Sequence, residues 1–178
     1  LSDEIFDRYL QDAADFVAQV DIQALSSCVQ DRQLIFEGAQ GLLLDMDHGQ
    51  FPHVTRSNTG LTNVQHLAKD INVDHVNVHY VTRAYVTRHG AGPLAHEIAD
   101  KPWPGVVDET NVGNSWQGSL RFGWLDLDVL AAAIQQDRSE CDLQLSPKLV
   151  MTCLDQVAGE LHYVAKGRLQ CGTTEQLL

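Results

Sequence analysis

The chain has 178 residues, of which 44% are apolar and 20% are charged, as in an ordinary globular domain. Aspartate and glutamate number 24 against 12 lysines and arginines, which gives a net charge of −12. This balance argues against a nucleic-acid binder, because such proteins need a basic face to neutralise phosphates. No apolar run reaches the roughly 18 residues that cross a bilayer, so no membrane partner is expected.

Hydrophobic spacing predicts the main elements in chain order. Apolar residues at three- and four-residue intervals predict helices over residues 2–24, 59–72 and 125–136. Short apolar or β-branched runs predict strands over residues 34–36, 74–87 and 149–154, the first of them buried in a parallel sheet. Glycine and proline predict loops over residues 89–93 and 101–118. Alternating strands and helices indicate an α/β fold with a mostly parallel central sheet flanked by helices.

The cysteines indicate a reducing compartment and therefore a cytoplasmic protein. They lie far apart and form no CxxC pair, which disfavours zinc and redox sites: Cys28, Cys141, Cys153 and Cys171. The chain begins with Leu1 and not with methionine, which favours a trimmed or excised segment. Residues 1–178 are therefore interpreted as a single α/β domain or as a fragment of one.

Polar side chains that follow the predicted strands are the first candidates for a binding site. Gln40, Arg88 and Asp155 each come after an apolar strand, and ligands of such sheets bind beyond the carboxyl ends of the strands. We therefore expect these three side chains to line one crevice. Asp45, Asp47 and His48 offer ligands for a cation, although an acidic loop without a metal is the more common outcome.

Three of the candidates have a functional and a structural interpretation, and the residues alone leave both open. Gln40, between two glycines, offers a donor and an acceptor that match the lactam edge of a purine, or it braces the turn. The hydroxyl-rich run from Thr55 to Thr59 leads into a helix and provides an N-cap, an anion site that uses the same free amides, or both. Asp155 could accept hydrogen bonds from a base or cap a helix.

Four segments resemble one family. Residues 34–58, LIFEGAQGLLLDMDHGQFPHVTRSN, are similar to the FEGAQG-x-LLD-x-DHG-x-x-P-x-VT-x-SN motif of the adenylosuccinate synthetases. Residues 83–97, RAYVTRHGAGPLAHE, are similar to the family's KAY-x-TR-x-G-x-GP-x-x-TE. RFGWLDLDVL at 121–130 and LVMTCLDQV at 149–157 resemble its R-x-GW-x-D helix start and its LTKLDVL strand. The four segments occur in the family's order, and the first is highly specific.

The resemblance implies part of that family's P-loop-like fold and its reaction. The family joins aspartate to inosine monophosphate at the expense of GTP, with Mg²⁺, in purine biosynthesis, and it acts as a homodimer. Gln40 and Thr55 match positions that hold the base and phosphate of inosine monophosphate. Arg121 matches the family's anion-binding arginines, and Asp155 matches the carboxylate that recognises guanine.

The departures from the family pattern leave alternatives open. Neither the family's GDEGKGK phosphate loop nor its C-terminal guanine loop occurs in these residues, so no catalytic residue and no metal ligand is expected here. Only Arg121 remains of the TTGRRRR cluster, and Cys153 replaces the lysine of LTKLD. The amine donor and the choice between GTP and ATP stay open. The alternative functions are a non-catalytic purine-nucleotide-binding or regulatory paralogue, or an interaction module completed by another chain.

Overall fold

The computed structural model describes residues 2–29, 32–108, 111 and 113–177. Over these residues the α-helices are α1 (Asp3–Gln19), α2 (Leu25–Cys28), α3 (Leu61–Asp70), α4 (Leu127–Ser139) and α5 (Thr174–Leu177). The strands are β1 (His75–Arg83), β2 (Tyr85–Arg88), β3 (Glu97–Ile98), β4 (Arg121–Asp126), β5 (Gln144–Thr152), β6 (Leu161–Ala165) and β7 (Arg168–Gly172). Within the described ranges, none of the helices combines the length and the apolar character that crossing a membrane requires.

The strands form two sheets, and the α/β fold predicted from the sequence is confirmed. Strands β1 and β5 pair in parallel along their whole length, from His75 opposite Gln144 to Arg83 opposite Thr152. The second sheet has the order β2-β4-β6-β7, with β3 on β4. In it β4 and β6 are parallel, whereas the β2–β4, β3–β4 and β6–β7 pairs are antiparallel. The described sheets therefore contain more antiparallel pairing than the alternation of elements suggested.

The hydrophobic core lies on the second sheet. It consists of buried residues in β2 or directly before it, in β6 and in the loop before β4: Ala84, Tyr85, Trp103, Val106 and Leu161. The rings of Tyr85 and Trp103 meet edge to face with their centroids 6.1 Å apart, which is a favourable arrangement of two aromatic quadrupoles. Both polar tips are satisfied, because the Tyr85 hydroxyl donates to Gln156 at 2.7 Å and the Trp103 indole donates to the Glu160 carbonyl at 3.3 Å.

The predicted strand over residues 34–36 is wrong. The segment has no regular secondary structure, and Ile35 is 92% exposed. A strand needs a neighbour to pair its amide and carbonyl groups, and none of the described strands lies beside this segment. Helix α1 is correctly predicted in its position but ends at Gln19, and its apolar side chains, such as Phe16 at 64%, are exposed.

The start of the helix predicted over residues 125–136 also differs, because α4 begins at Leu127. Residues 121–126 form β4 and not the start of a helix, because Gly123 and Leu125 alternate into the buried side of the sheet. Helix α4 then begins directly after Asp126, whose carboxylate accepts from the amides of Asp128 at 2.9 Å and Val129 at 3.1 Å. This N-cap separates strand from helix. Helix α3 lies within its predicted range.

Candidate functional site

Gln40 stands in an exposed turn with an unusual backbone conformation. Its φ of 71° places it in the left-handed region, which costs a non-glycine residue roughly 1–2 kcal/mol. The turn leads through Gly41 into a short 3₁₀ helix, Leu42–Leu44. A strained backbone at an exposed polar residue is a frequent feature of binding sites, because the strain presents the side chain to a ligand.

Thr55 lies on a second loop that is bound to the first. Its amide donates to the Leu44 carbonyl at 2.8 Å, and the amide of Met46 donates to the Ser57 carbonyl at 3.2 Å. The hydroxyl groups of Thr55 and Ser57 are 3.4 Å apart. Nearer to Gln40, the Thr59 hydroxyl donates to the Gly41 carbonyl at 3.1 Å. The Gln40 turn and the Thr55 loop therefore form one hydrogen-bonded unit.

Asp45 lies at the centre of this unit and is 4% exposed. Its Oδ2 accepts from the amide of Thr59 at 2.6 Å, and its Oδ1 accepts from the amide of Asp47 at 2.9 Å. Burial raises the pKa of Asp45, but hydrogen bonds from the amides of Thr59, Asp47 and His48 and from the Asn58 side chain outweigh burial and lower that pKa. The carboxylate is therefore ionised and engaged by protein donors.

The possible cation site at Asp45, Asp47 and His48 does not form. Asp47 accepts from the Asn58 side chain at 2.6 Å, and His48 contacts Glu140 at 2.8 Å. Among the described residues, no group of three His, Cys, Asp or Glu side chains is arranged to hold a metal. The acidic loop residues here bind parts of the chain itself.

The start of α3 is already occupied by a carboxylate. Gly60 is the N-cap and no side chain caps the helix, so the structure does not support the N-cap interpretation of the run from Thr55 to Thr59. The amide of Leu61 donates to Asp137 of α4 at 2.8 Å, and the Tyr80 hydroxyl donates to the other Asp137 oxygen at 2.7 Å. Burial, followed by this hydrogen bond, raises the pKa of Tyr80. The amides of Thr59 and Leu61 therefore both bind carboxylates of the chain and are not open to a further anion.

Two arginines attach the glycine turn over residues 89–93 to its surroundings. Arg88 donates to the carbonyl of His53 at 3.0 Å, next to the Thr55 loop. Arg121 donates through Nη1 to the carbonyls of Gly90 at 3.0 Å and Gly92 at 2.8 Å. The Nε and Nη2 atoms of Arg121 donate to the two carboxylate oxygens of Glu97 and form a bidentate pair. Hydrogen bonding within this pair lowers the pKa of Glu97 and raises that of Arg121.

Asp155 belongs to a different segment of the chain from the other candidates. It is exposed in a short 3₁₀ helix, Leu154–Gln156, which follows Cys153 in the left-handed conformation with a φ of 60°. No hydrogen bond between described residues joins Asp155 to the Gln40 turn or the Thr55 loop. The loops of the other four candidates are joined one after another by hydrogen bonds. The Gln40 turn bonds to the Thr55 loop, that loop bonds to Arg88, and the glycine turn after Arg88 bonds to Arg121. A single crevice that also contains Asp155 stays a prediction.

Asp137 and Glu97 are the residues of this region that sequence reasoning missed. Asp137 follows Ile134 by three positions, which places a carboxylate on the inward side of α4. A charged residue on the packed side of a helix usually has a partner, so this spacing was a usable signal. Glu97 gave no comparable signal, because nothing in the sequence pairs it with Arg121, 24 residues later.

The segment that replaces the arginine cluster forms a closed turn. The amides of Asn114 and Gly118 each donate to the other residue's carbonyl, at 3.1 and 2.8 Å. The Asn114 side chain accepts from the amides of Trp116 at 3.0 Å and Gln117 at 2.8 Å, and Trp116 is 93% exposed at the tip. Read without gaps, the first three arginine positions of the family motif fall on Gly118, Ser119 and Leu120, at the end of this turn and directly after it, so no cationic side chain stands there.

Comparisons with known proteins agree on one family. A family model described as adenylosuccinate synthetase matches residues 2–175. The adenylosuccinate synthetase of Clostridium beijerinckii is 32% identical over 164 residues, which are 88% of this chain and 36% of that protein. The enzyme of Ralstonia nicotianae is 39% identical over 140 residues, 71% of this chain and 30% of that protein.

A solved structure agrees with these relatives. The structure of the fully ligated adenylosuccinate synthetase from Plasmodium falciparum matches with a TM-score of 0.51 and 26% identity. The match covers 75% of this chain and 32% of the other. The chain thus spans about a third of the length of the relatives it matches.

Proposed function

We propose, because the chain belongs to the adenylosuccinate synthetase family, that it provides the purine-nucleotide-binding part of a ligase that joins aspartate to inosine monophosphate with GTP. The membership expected from the four motifs is confirmed by the family match over residues 2–175. A non-catalytic paralogue or an interaction module is not favoured, because the curated relatives carry the name of the synthetase. This chain matches about a third of the length of those relatives, and the activity is proposed here for the complete protein.

The hydrogen-bonded unit of the Gln40 turn and the Thr55 loop is the observation that supports this function best. Its two loops are joined by the bonds from the Thr55 amide to Leu44 and from the Thr59 hydroxyl to Gly41. The Gln40 amide has a donor and an acceptor for the lactam edge of hypoxanthine. The Thr55 hydroxyl, half-buried beside Ser57, is a donor for the phosphate. One rigid unit would then hold both ends of the nucleotide.

Arg121 and Asp155 have proposed roles at other parts of the substrates. Arg121 is the clamp for an anionic group, and in that role it exchanges its bidentate partner Glu97 for the ligand. Asp155 accepts hydrogen bonds from the ring N–H and exocyclic amine of guanine, as an exposed carboxylate can. Gly118, Ser119 and Leu120 stand in the positions of the remaining arginines, so the recognition of aspartate depends on Arg121.

In the proposed reaction the purine carbonyl oxygen is phosphorylated, and an amine then displaces the phosphate. Gln40 orients the base for this step, and Thr55 holds the nucleotide's own phosphate away from the reacting atoms. Phosphoryl transfer depends mainly on positioning and charge stabilisation, so both contributions matter for the rate. Family membership implies GTP and Mg²⁺ as cofactors. The described residues offer no fitting Mg²⁺ site, since Asp45 and Asp47 are engaged by protein donors, and no step is assigned to the ion.

The family also suggests a cytoplasmic homodimer, and we include both in the proposal. Four free cysteines fit a reducing compartment. Exposed apolar side chains on α1 and around Ile35 fit a protein with further packing partners. Sedimentation equilibrium of the complete protein tests the dimer directly, and a monomer at every concentration would contradict this part of the proposal.

The test of the function is turnover with inosine monophosphate, GTP and aspartate, followed by the change in ultraviolet absorbance as the 6-oxo group becomes an amine. Gln40→Ala should reduce kcat/KM by about tenfold or more, because one hydrogen bond to the base is lost. Gln135→Ala, an exposed glutamine on α4, is the matched control and should leave kcat/KM unchanged. Absence of turnover in the complete protein, with aspartate or other amines, would refute the function.

A further inference from the structure

Asp45 is the one buried charged residue in the described part of the chain. Its two oxygens accept from both parts of the candidate site. Oδ1 accepts from the amides of Asp47 at 2.9 Å and His48 at 3.3 Å, within the turn that follows Gln40, and from the Asn58 side chain at 3.4 Å. Oδ2 accepts from the amide of Thr59 at 2.6 Å, at the end of the Thr55 loop. The carboxylate is therefore shared between the two segments that carry the proposed base and phosphate contacts.

We propose that Asp45 is a positioning residue that sets the separation of Gln40 and Thr55, so that base and phosphate of one purine monophosphate are bound at the same time. This inference rests on the proposed function. Asp45 touches no part of the ligand in this account and acts only through the two loops. The shared Thr59 supports it independently, because its hydroxyl donates to Gly41, directly after Gln40, at 3.1 Å.

An amide at this position cannot take over the role of the carboxylate. An ionised carboxylate accepts at both oxygens, whereas the amide of asparagine has one acceptor and one donating nitrogen. In Asp45→Asn the nitrogen therefore faces either the amide of Thr59 or that of Asp47. If it faces Thr59, two donors oppose each other across the contact between the loops, and if it faces Asp47, they do so within the turn after Gln40. The loops keep their backbone bonds from Thr55 to Leu44 and from Met46 to Ser57, and we expect the separation of the two loops to be held less tightly.

A change in spacing has a consequence that general destabilisation lacks. A ligand with two anchored ends gains from both anchors only if the anchors are held at the correct separation. Inosine has the base but no phosphate, so it depends on the Gln40 turn alone. A loosened spacing weakens the binding of inosine monophosphate selectively. A smaller folded fraction instead weakens the binding of both ligands by the same factor.

The experiment measures Kd for inosine and inosine monophosphate by isothermal titration calorimetry, in the complete protein and in Asp45→Asn. The Kd for inosine divided by the Kd for inosine monophosphate should fall by about tenfold in Asp45→Asn. This factor is roughly the contribution of one hydrogen bond to a charged group. Asp126→Asn is the matched control, because Asp126 also accepts from two backbone amides but caps α4. It should lower stability and leave the ratio unchanged.

Thr59→Val cuts the same connection more mildly, since it removes the hydroxyl contacts with Gly41 and Asp45 and keeps the amide. It should lower the ratio as Asp45→Asn does, and it replaces Asp45→Asn as the test variant if that protein does not fold. An unchanged ratio in a folded variant overturns the positioning role while the proposed function stands. If the unsubstituted protein binds inosine monophosphate no more tightly than inosine, the proposed function itself fails.

Discussion

The contact between α3, α4 and β1 through Asp137 gives a prediction whose size follows from the structure. Tyr80→Phe removes a 2.7 Å hydrogen bond to a carboxylate at a half-buried site, which costs about 1.5–3 kcal/mol of unfolding free energy. Asp137→Ala removes that bond and also leaves the Leu61 amide at the start of α3 without its acceptor. We expect this substitution to cost about 3 kcal/mol or more.

The assay is urea unfolding of both single variants and the double variant, combined in a double-mutant cycle. Once Asp137 is gone, the loss of the Tyr80 hydroxyl should cost little further, so the coupling free energy should be about 1.5 kcal/mol. Asp142→Ala is the control, because the exposed pair of Asp142 with Lys69 also joins this region and should contribute less than about 0.5 kcal/mol. Strictly additive effects of Tyr80→Phe and Asp137→Ala would refute the reasoning.

Three further predictions concern other parts of the molecule. Gly49→Ala should destabilise the protein by roughly 1–3 kcal/mol in urea unfolding, because the new Cβ would lie 2.5 Å from the Asp45 carbonyl oxygen. Gly41→Ala, with nothing within 4 Å, should be nearly neutral, and equal effects would contradict this. The lowered pKa of Asp45 implies stability that is present above its ordinary value of 3.8 and lost as pH falls through the folded value. In Asp45→Asn the unfolding free energy should therefore fall less steeply on the acid side of a plot against pH. An unchanged fall would contradict a contribution from Asp45. Acrylamide should quench the fluorescence of Trp116, which is 93% exposed, and leave that of Trp103, which is 5% exposed, nearly unchanged. Single-tryptophan variants measure the two residues separately.

The elements that were correctly predicted share a local signal. Helix α3 has apolar residues at regular helical spacing, and β1 has alternating β-branched residues, so each pattern could be identified within one segment. The segment at residues 34–36 has an equally apolar sequence, but a strand also requires a partner, and the partner is not encoded in the segment. The same limit applies to β4, whose six residues became a strand because β2, β3 and β6 pair with it.

The connections of the candidate site could not be predicted from the sequence, and the binding roles of its residues stay a prediction. Gln40 and Thr55 lie in one continuous motif, and the structure joins the two loops that carry them by hydrogen bonds. The bonds that brace them come from a distance: Asp137 reaches Leu61 across 76 positions, and Arg88 reaches His53 across 35. Arg121 was expected to be a free anion clamp, and its bidentate pair with Glu97 is visible only in three dimensions. Side-chain partners at such separations depend on the packing of the elements that carry them.

A crystal structure of the complete protein with inosine monophosphate tests the central claim most directly. The account predicts hydrogen bonds from the Gln40 amide to the hypoxanthine edge and from the Thr55 hydroxyl to the phosphate of the same nucleotide. It also predicts that Asp45 keeps its bonds to the amides of Asp47 and Thr59 in that complex. A nucleotide bound elsewhere, or bound with only one of these two side chains in contact, would contradict the account.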